Sequence, residues 1–269
     1  MVSGMRPRLR QWTAARLTAG LLLAAVAAVA GLIGCRRPAP GAASRAGWDR
    51  AAFALQLART EYREQGENAA AGGVAPLLAV IDGARAAVAG AGERARWLDE
   101  VLARVRDALA SHAPPRTVAR MCTEATAQIA GRGIRLSTPA ARPDLGRGAS
   151  LYQVACVPCH GPPRGPPPPA AAHLVPPPPR PTESAQTPYE LYNRITYGGA
   201  GTAMPSFGET LSDGERWDIA FTLFADRWPP CADARWAPLP AAALAHMSDA
   251  DIWRADGWGA AACLRRNFR

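Results

Sequence analysis

The run Cys156-Val157-Pro158-Cys159-His160 constrains this chain more than any other feature of its sequence. Two thiols three positions apart lie about one helical turn from each other, and an imidazole follows at once. Both thiols can then add to the two vinyl groups of a single porphyrin, with the imidazole beneath its iron. Two other chemistries use such a pair of cysteines. A structural zinc site needs two further ligands, usually a second close pair, and Cys35, Cys122, Cys231 and Cys263 offer none. A thioredoxin-like dithiol needs a strand–helix–strand setting, which the surrounding prolines do not supply. The motif therefore predicts one covalently attached haem c, held by Cys156 and Cys159 and ligated by His160.

A sixth iron ligand is expected from later in the chain, where Met204, Met247, His173 and His246 are the candidates. Met204 stands in Gly198-Gly-Ala-Gly-Thr-Ala-Met204-Pro-Ser-Phe207. The glycines let the backbone pass close to a flat ring, and Pro205 biases Met204 toward an extended conformation. A methionine in that setting is poorly placed for a core helix, so Met204 is the expected axial ligand. His173 lies in a proline run, and His246 with Met247 in the C-terminal tail, where surface roles are the simpler reading. A His/Met pair raises the reduction potential, because a thioether stabilises ferrous iron.

The N-terminus predicts export. Arg6, Arg8, Arg10 and Arg16 precede an apolar run from Leu17 to Gly34, and Cys35 follows directly. That run sits at the lower limit for spanning a bilayer, so its length fits both a signal peptide and an anchor. Leu32-Ile33-Gly34-Cys35 resembles the bacterial lipobox, in which the cysteine is acylated and becomes the new N-terminus. Residues 1–34 are thus expected to be a lipoprotein signal peptide and Cys35 the lipidation site, on the periplasmic side of a bacterial membrane. Cys122, Cys231 and Cys263 are left over in an oxidising compartment, enough for one disulfide whose pairing the sequence leaves open. The formal charge is +9 with 31 basic residues, and without the four leader arginines the excess over 22 acidic residues falls to +5. The positive charges are scattered, with no aromatic interleaving, so no nucleic-acid partner is expected.

Past a tether at 35–46, residues 47–135 read as a helical bundle. Trp48, Ala52, Leu55, Arg59 and Tyr62 recur at helical spacing, followed by Leu77, Leu78, Ile81 and Val88. Trp97, Leu98, Val101, Leu102, Val105 and Leu109 form a third stripe, and Val118, Met121, Cys122, Ala125 and Ile129 a fourth. Breaks at Gly66–Gly73, Ala89–Gly92 and Ser111–Pro115 separate them, and short breaks favour an antiparallel bundle. A linker at 131–143 leads to a second domain at 144–228 and a tail at 229–269, with short helices around Ala241–His246 and Asp249–Arg254. In the second domain Leu145 to Tyr152 reads as a helix. Ser212 and Glu215 form a capping box for another, with Trp217, Ala220, Phe221 and Phe224 as its apolar stripe.

Together these residues resemble the class I cytochrome c fold over 144–228, which implies an N-terminal and a C-terminal helix crossing beside the haem. The expected fold is all-α, a helical bundle followed by that domain. A narrower likeness lies in Pro176–Thr182, Thr187–Gly198, Gly201–Gly208 and Leu211–Trp217. These segments look like the cytochrome part fused to bacterial high-affinity iron permeases, where a helical extracytoplasmic module precedes the cytochrome. The sequence departs from that pattern in two places. Pro162-Pro-Arg-Gly-Pro-Pro-Pro-Pro replaces a Gly- and Asp-rich stretch, and no apolar span follows residue 228. The resemblance therefore implies a separately encoded iron permease as partner. Arg63-Glu64-Gln65-Gly66-Glu67 fits the letters of the permease iron motif; with Glu61 it is either a hard-oxygen iron site or a solvated helix end. Arg194 and Tyr197 are candidates for pairing with a haem propionate.

The expected function is outer-sphere one-electron transfer to or from a redox partner protein, serving iron uptake. The alternative is a respiratory carrier docking to a membrane oxidase or dehydrogenase. A peroxidase ranks lowest, because one haem motif provides no second redox centre.

Overall fold

The computed structural model describes residues 45–65, 73–183, 185–227 and 238–269, with side chains described throughout these except at 63–65 and 255–262. The expected signal peptide, Cys35 and the tether as far as residue 44 lie outside the described residues, while Arg45 and Ala46, expected in the tether, open the first helix. Helices account for the regular structure described, and the β-type pairing described is one isolated bridge between Leu239 and Phe268. No described helix is long and apolar enough to cross a membrane.

Helices α1 (Arg45–Gln65), α2 (Ala75–Ala89), α3 (Glu93–Ala110) and α4 (Pro115–Gly131) begin and end at the breaks read from the sequence. Each packs on its chain neighbour, and α4 closes back on α1. Their stripes are the buried faces: Leu77, Ile81, Ala84 and Val88 on α2, Leu98 to Leu109 on α3, Val118 to Ile129 on α4. Cys122 is a free thiol on this inner face, and burial pushes it up to about 12, which leaves it an inert hydrophobe.

Helix α1 departs from the narrow stripe that its sequence pattern predicts. Every residue from Ala51 to Ala58 is buried. Its second face is covered by α7 (Pro188–Tyr197), which belongs to the second half of the chain. Alanines at 51, 52, 54 and 58 hide this from a hydrophobic-periodicity reading, because alanine serves an exposed face and a tightly packed one equally well.

The second half is built on α5 (Leu145–Ala155) crossing α8 (Asp213–Asp226). The crossing is close because Gly148 has no side chain: a Cβ there would lie 2.3 Å from both the Asp218 carbonyl oxygen and Thr222 Oγ1. Thr222 Oγ1 donates to the Leu145 carbonyl at 3.1 Å, and the Asp144 N–H donates to Asp218 Oδ1 at 2.8 Å. The Asp218 carboxylate is almost wholly buried and also pairs with Arg147, so its charge is compensated. Helix α8 starts on the expected Ser212–Glu215 capping box. Further boxes cap α7 with Thr187 and Glu190, and α10 (Asp249–Leu264) with Ser248 and Asp251.

The tail packs into the core. Leu244 on the short helix α9 (Ala241–Leu244), with Ile252, Leu264 and Phe268, is buried, and the Phe268 ring lies 4.8 Å from that of Phe221. Helix α10 runs ten residues beyond the expected Arg254, through Gly257 and Gly259, whose low helix propensity hides the continuation from a sequence reading. Cys263 is disulfide-bonded. With Cys122 free, its partner lies outside the described residues.

Candidate functional site

The two thiols and the imidazole lie on one short turn. Helix α5 ends at Cys156, and α6 (Val157–His160) follows with Pro158 in its first turn, where a missing N–H costs nothing. The Cys159 and His160 N–H groups both donate to the Cys156 carbonyl, at 3.1 and 2.8 Å. This turn fixes the thiols and the imidazole relative to one another. Both thiols are free; Cys159 is exposed and Cys156 half-buried. Burial, reinforced by the neighbouring Cys159, pushes the Cys156 thiol up to about 12. Tyr152 on α5 donates its hydroxyl to the Gly161 carbonyl at 3.1 Å, locking the turn onto the helix before it.

His160 Nδ1 lies 2.9 Å from the Pro179 carbonyl oxygen. A carbonyl only accepts, so Nδ1 carries a proton, and in the neutral ring Nε2 is the nitrogen that keeps its lone pair. That is the tautomer an imidazole needs to ligate a metal, and the second hydrogen bond fixes the ring's orientation. Pro179 lies in the Pro176–Thr182 segment of the likeness, but its role as an acceptor gave no sequence signal, since it acts through a backbone oxygen nineteen residues on. The proline-rich loop that presents it is pinned at several points. Thr182 Oγ1 donates to the Pro163 carbonyl, and Arg164 Nε donates to the Asp226 carbonyl at 2.7 Å. Short 3-10 turns at Pro169–His173 and Pro181–Glu183 fold the loop back on itself.

Met204 is half-buried in a loop tied to the end of α7. The Gly199 N–H donates to the Met204 carbonyl at 3.1 Å, and the Met204 N–H to Thr202 Oγ1 at 3.2 Å. Downstream, the Phe207 N–H donates to the Ile195 carbonyl at 3.0 Å, and Ser206 Oγ to the Thr196 carbonyl at 2.7 Å. Gly198 has φ +77, and a Cβ there would lie 2.7 Å from the Met204 carbonyl oxygen. The glycine is therefore required by both conformation and space.

The other candidate ligands have different surroundings. His173 is exposed, Met247 packs against the core, and His246 Nε2 lies 3.1 Å from the Ser137 carbonyl, with its ring 4.5 Å from that of Tyr189. Arg194 pairs with Glu61 of α1, and the Tyr197 ring lies 4.9 Å from that of Phe53. Glu61 is thereby engaged with a cation, while the side chains of Glu64 and Glu67 lie outside the described residues. Among the described residues no cluster of three or more His, Cys, Asp or Glu is placed to hold a metal ion.

The donor set on α6 fits a covalently bound haem: two free thiols on one turn, and an imidazole whose Nε2 is the free nitrogen. Residues 143–220 match a known family, described as cytochrome C oxidase, cbb3-type, subunit III. The match covers α5, α6, α7, the Met204 loop and the first half of α8, and establishes a c-type cytochrome domain there. Such a domain implies covalently bound haem c and electron transfer with a redox partner. Comparison with curated proteins and with solved structures finds no match.

Proposed function

We propose that this chain is a monohaem c-type cytochrome that carries single electrons by outer-sphere transfer, held by lipid on Cys35 at the periplasmic face of a bacterial membrane. Residues 144–228 are the cytochrome domain and 47–135 a helical module packed on it. The observation that carries the reading is the His160–Pro179 hydrogen bond beside two free thiols, since it sets the imidazole tautomer that ligation requires. The haem, when bound, supplies a one-electron ferric/ferrous couple. Cys156 and Cys159 would hold it by thioether bonds, and His160 Nε2 and Met204 would ligate its iron. With both iron ligands supplied by the chain, the group would offer outer-sphere electron transfer and no open position for a substrate.

The favoured role is iron uptake alongside a separately encoded permease, supported by the likeness at Thr187–Gly198 and Gly201–Gly208. A respiratory role is the second reading. It is favoured by the printed description of the matching family, which names an oxidase subunit.

The haem assignment is tested by a denaturing gel stained for covalent haem. Wild type is expected to stain, and Cys156→Ala with Cys159→Ala to lose the stain. The role is tested by mixing the oxidised full-length protein with ferrous iron in stopped flow. Saturable reduction by ferrous iron, faster than by an oxidase-chain quinol, supports iron uptake. The reverse ranking moves the assignment to the respiratory carrier.

A further inference from the structure

We propose that the helical module is a clamp on the axial methionine, with Glu61, Arg194 and Pro76 as positioning residues for Met204. The proposal rests on reading Met204 as an iron ligand. What leads to it is how the Met204 loop is held from behind. Through the bonds at Gly199, Phe207 and Ser206 the loop is an extension of α7. Helix α7 in turn is docked along α1 by a row of specific contacts. Tyr189 donates its hydroxyl to Asp49 Oδ1 at 2.7 Å, Gln56 Nε2 donates to the Glu190 carbonyl at 3.1 Å, and Arg59 pairs with the Glu190 carboxylate. At the loop end of α7, Arg194 pairs with Glu61, with side-chain exposures of 17% and 14%. That degree of burial makes this pair worth more than an exposed one.

Two contacts carry the clamp into the loop itself. A Cβ on Gly199 would sit 3.4 Å from both Arg194 Nη1 and Met204 Cβ. The paired guanidinium therefore lies against the same stretch of backbone that carries the methionine. On the other side Gly201, at φ +72, is so close to the module that its Cβ would lie 2.7 Å from Pro76 Cγ at the start of α2. The loop is thus held between α7 and the helical module, with two residues of α1 and α2 behind it. A loop with nothing behind it would let a thioether, which is a weak ligand, leave the metal readily. Here release of Met204 requires either breaking a part-buried ion pair or moving Pro76.

The test uses the full-length, haem-loaded oxidised protein and follows the sulfur-to-iron charge-transfer band while imidazole is added to displace the methionine. Glu61→Gln and Arg194→Ala are expected to raise imidazole affinity about tenfold, the population shift that follows loss of a charge-assisted hydrogen bond. Glu61→Asp is expected to recover part of the wild-type value. Gly201→Val, which pushes on Pro76, is expected to act in the same direction. Circular dichroism of each variant reports whether the helices remain. Imidazole affinity within twofold of wild type in Glu61→Gln and Arg194→Ala, with helices intact, overturns the clamp. The underlying ligand assignment fails separately, if Met204→Leu leaves the charge-transfer band unchanged.

Discussion

Gly148 and Asp218 show how single positions set the crossing on which the second half of the chain is built. A methyl group at 148 would meet a backbone carbonyl at 2.3 Å, which cannot move without shifting α8. We expect Gly148→Ala to destabilise the protein by about 1–3 kcal/mol, the usual cost of overpacking, read as a lowered urea midpoint. Asp218→Ala is also expected to lower the urea midpoint, because it removes the buried carboxylate that accepts from the Asp144 N–H at 2.8 Å and pairs with Arg147. The paired cysteines, His160 and Met204 stand out in the sequence as candidates by their local spacing. The contacts of Pro179, Glu61 and Pro76 do not, although Glu61 and the Pro176–Thr182 segment are marked in the sequence for other reasons. Each acts across a fold that brings distant segments together, and their residue types carry no trace of it.

Among the elements, the caps make acid sensitivity predictable. The Asp144 carboxyl is held below its ordinary value of 3.8 by N–H groups of α5, chiefly that of Arg147. Hydroxyl and N–H donors of Ser212 and Ser248 act in the same way on Glu215 and Asp251. The unfolded chain binds protons at these groups at a higher pH than the folded one, so their contribution is complete above about pH 5 and is lost as pH falls through the folded values. We expect the thermal midpoint to fall as pH drops below about 4, with a smaller fall in Ser212→Ala. Thr187→Ala is expected to cost about 1 kcal/mol by removing the cap of α7, the helix that carries the Met204 loop. The stripes on α2, α3 and α4 were legible because leucine, isoleucine and valine mark one face only. The double-sided burial of α1 was not, since alanine and glutamine mark neither.

For the whole molecule, α1 is the shared wall between the helical module and the cytochrome domain. Leu55 and Leu57 are fully buried, and Phe53 meets Tyr197 across that wall. Leu57→Ala is expected to cost about 2–5 kcal/mol, and loss of helix and loss of the axial-methionine band are expected to follow one denaturation curve. Two separate curves would mean that the halves are stable independently. The junction at Asp49 has a consequence for how such a chain is made. Its carboxylate accepts from Ser137 N–H at 2.9 Å, from Ser137 Oγ at 2.6 Å, and from Tyr189, which lies 140 residues downstream. As the chain emerges N-terminus first into the compartment where it folds, the first helix must wait for the Ser137 and Tyr189 segments before its buried carboxylate is satisfied. Until Tyr197 emerges, Phe53 and the small residues around it remain a bare, sticky strip. A chain halted part-way through its emergence would display a half-finished surface that calls for a chaperone rather than a haem.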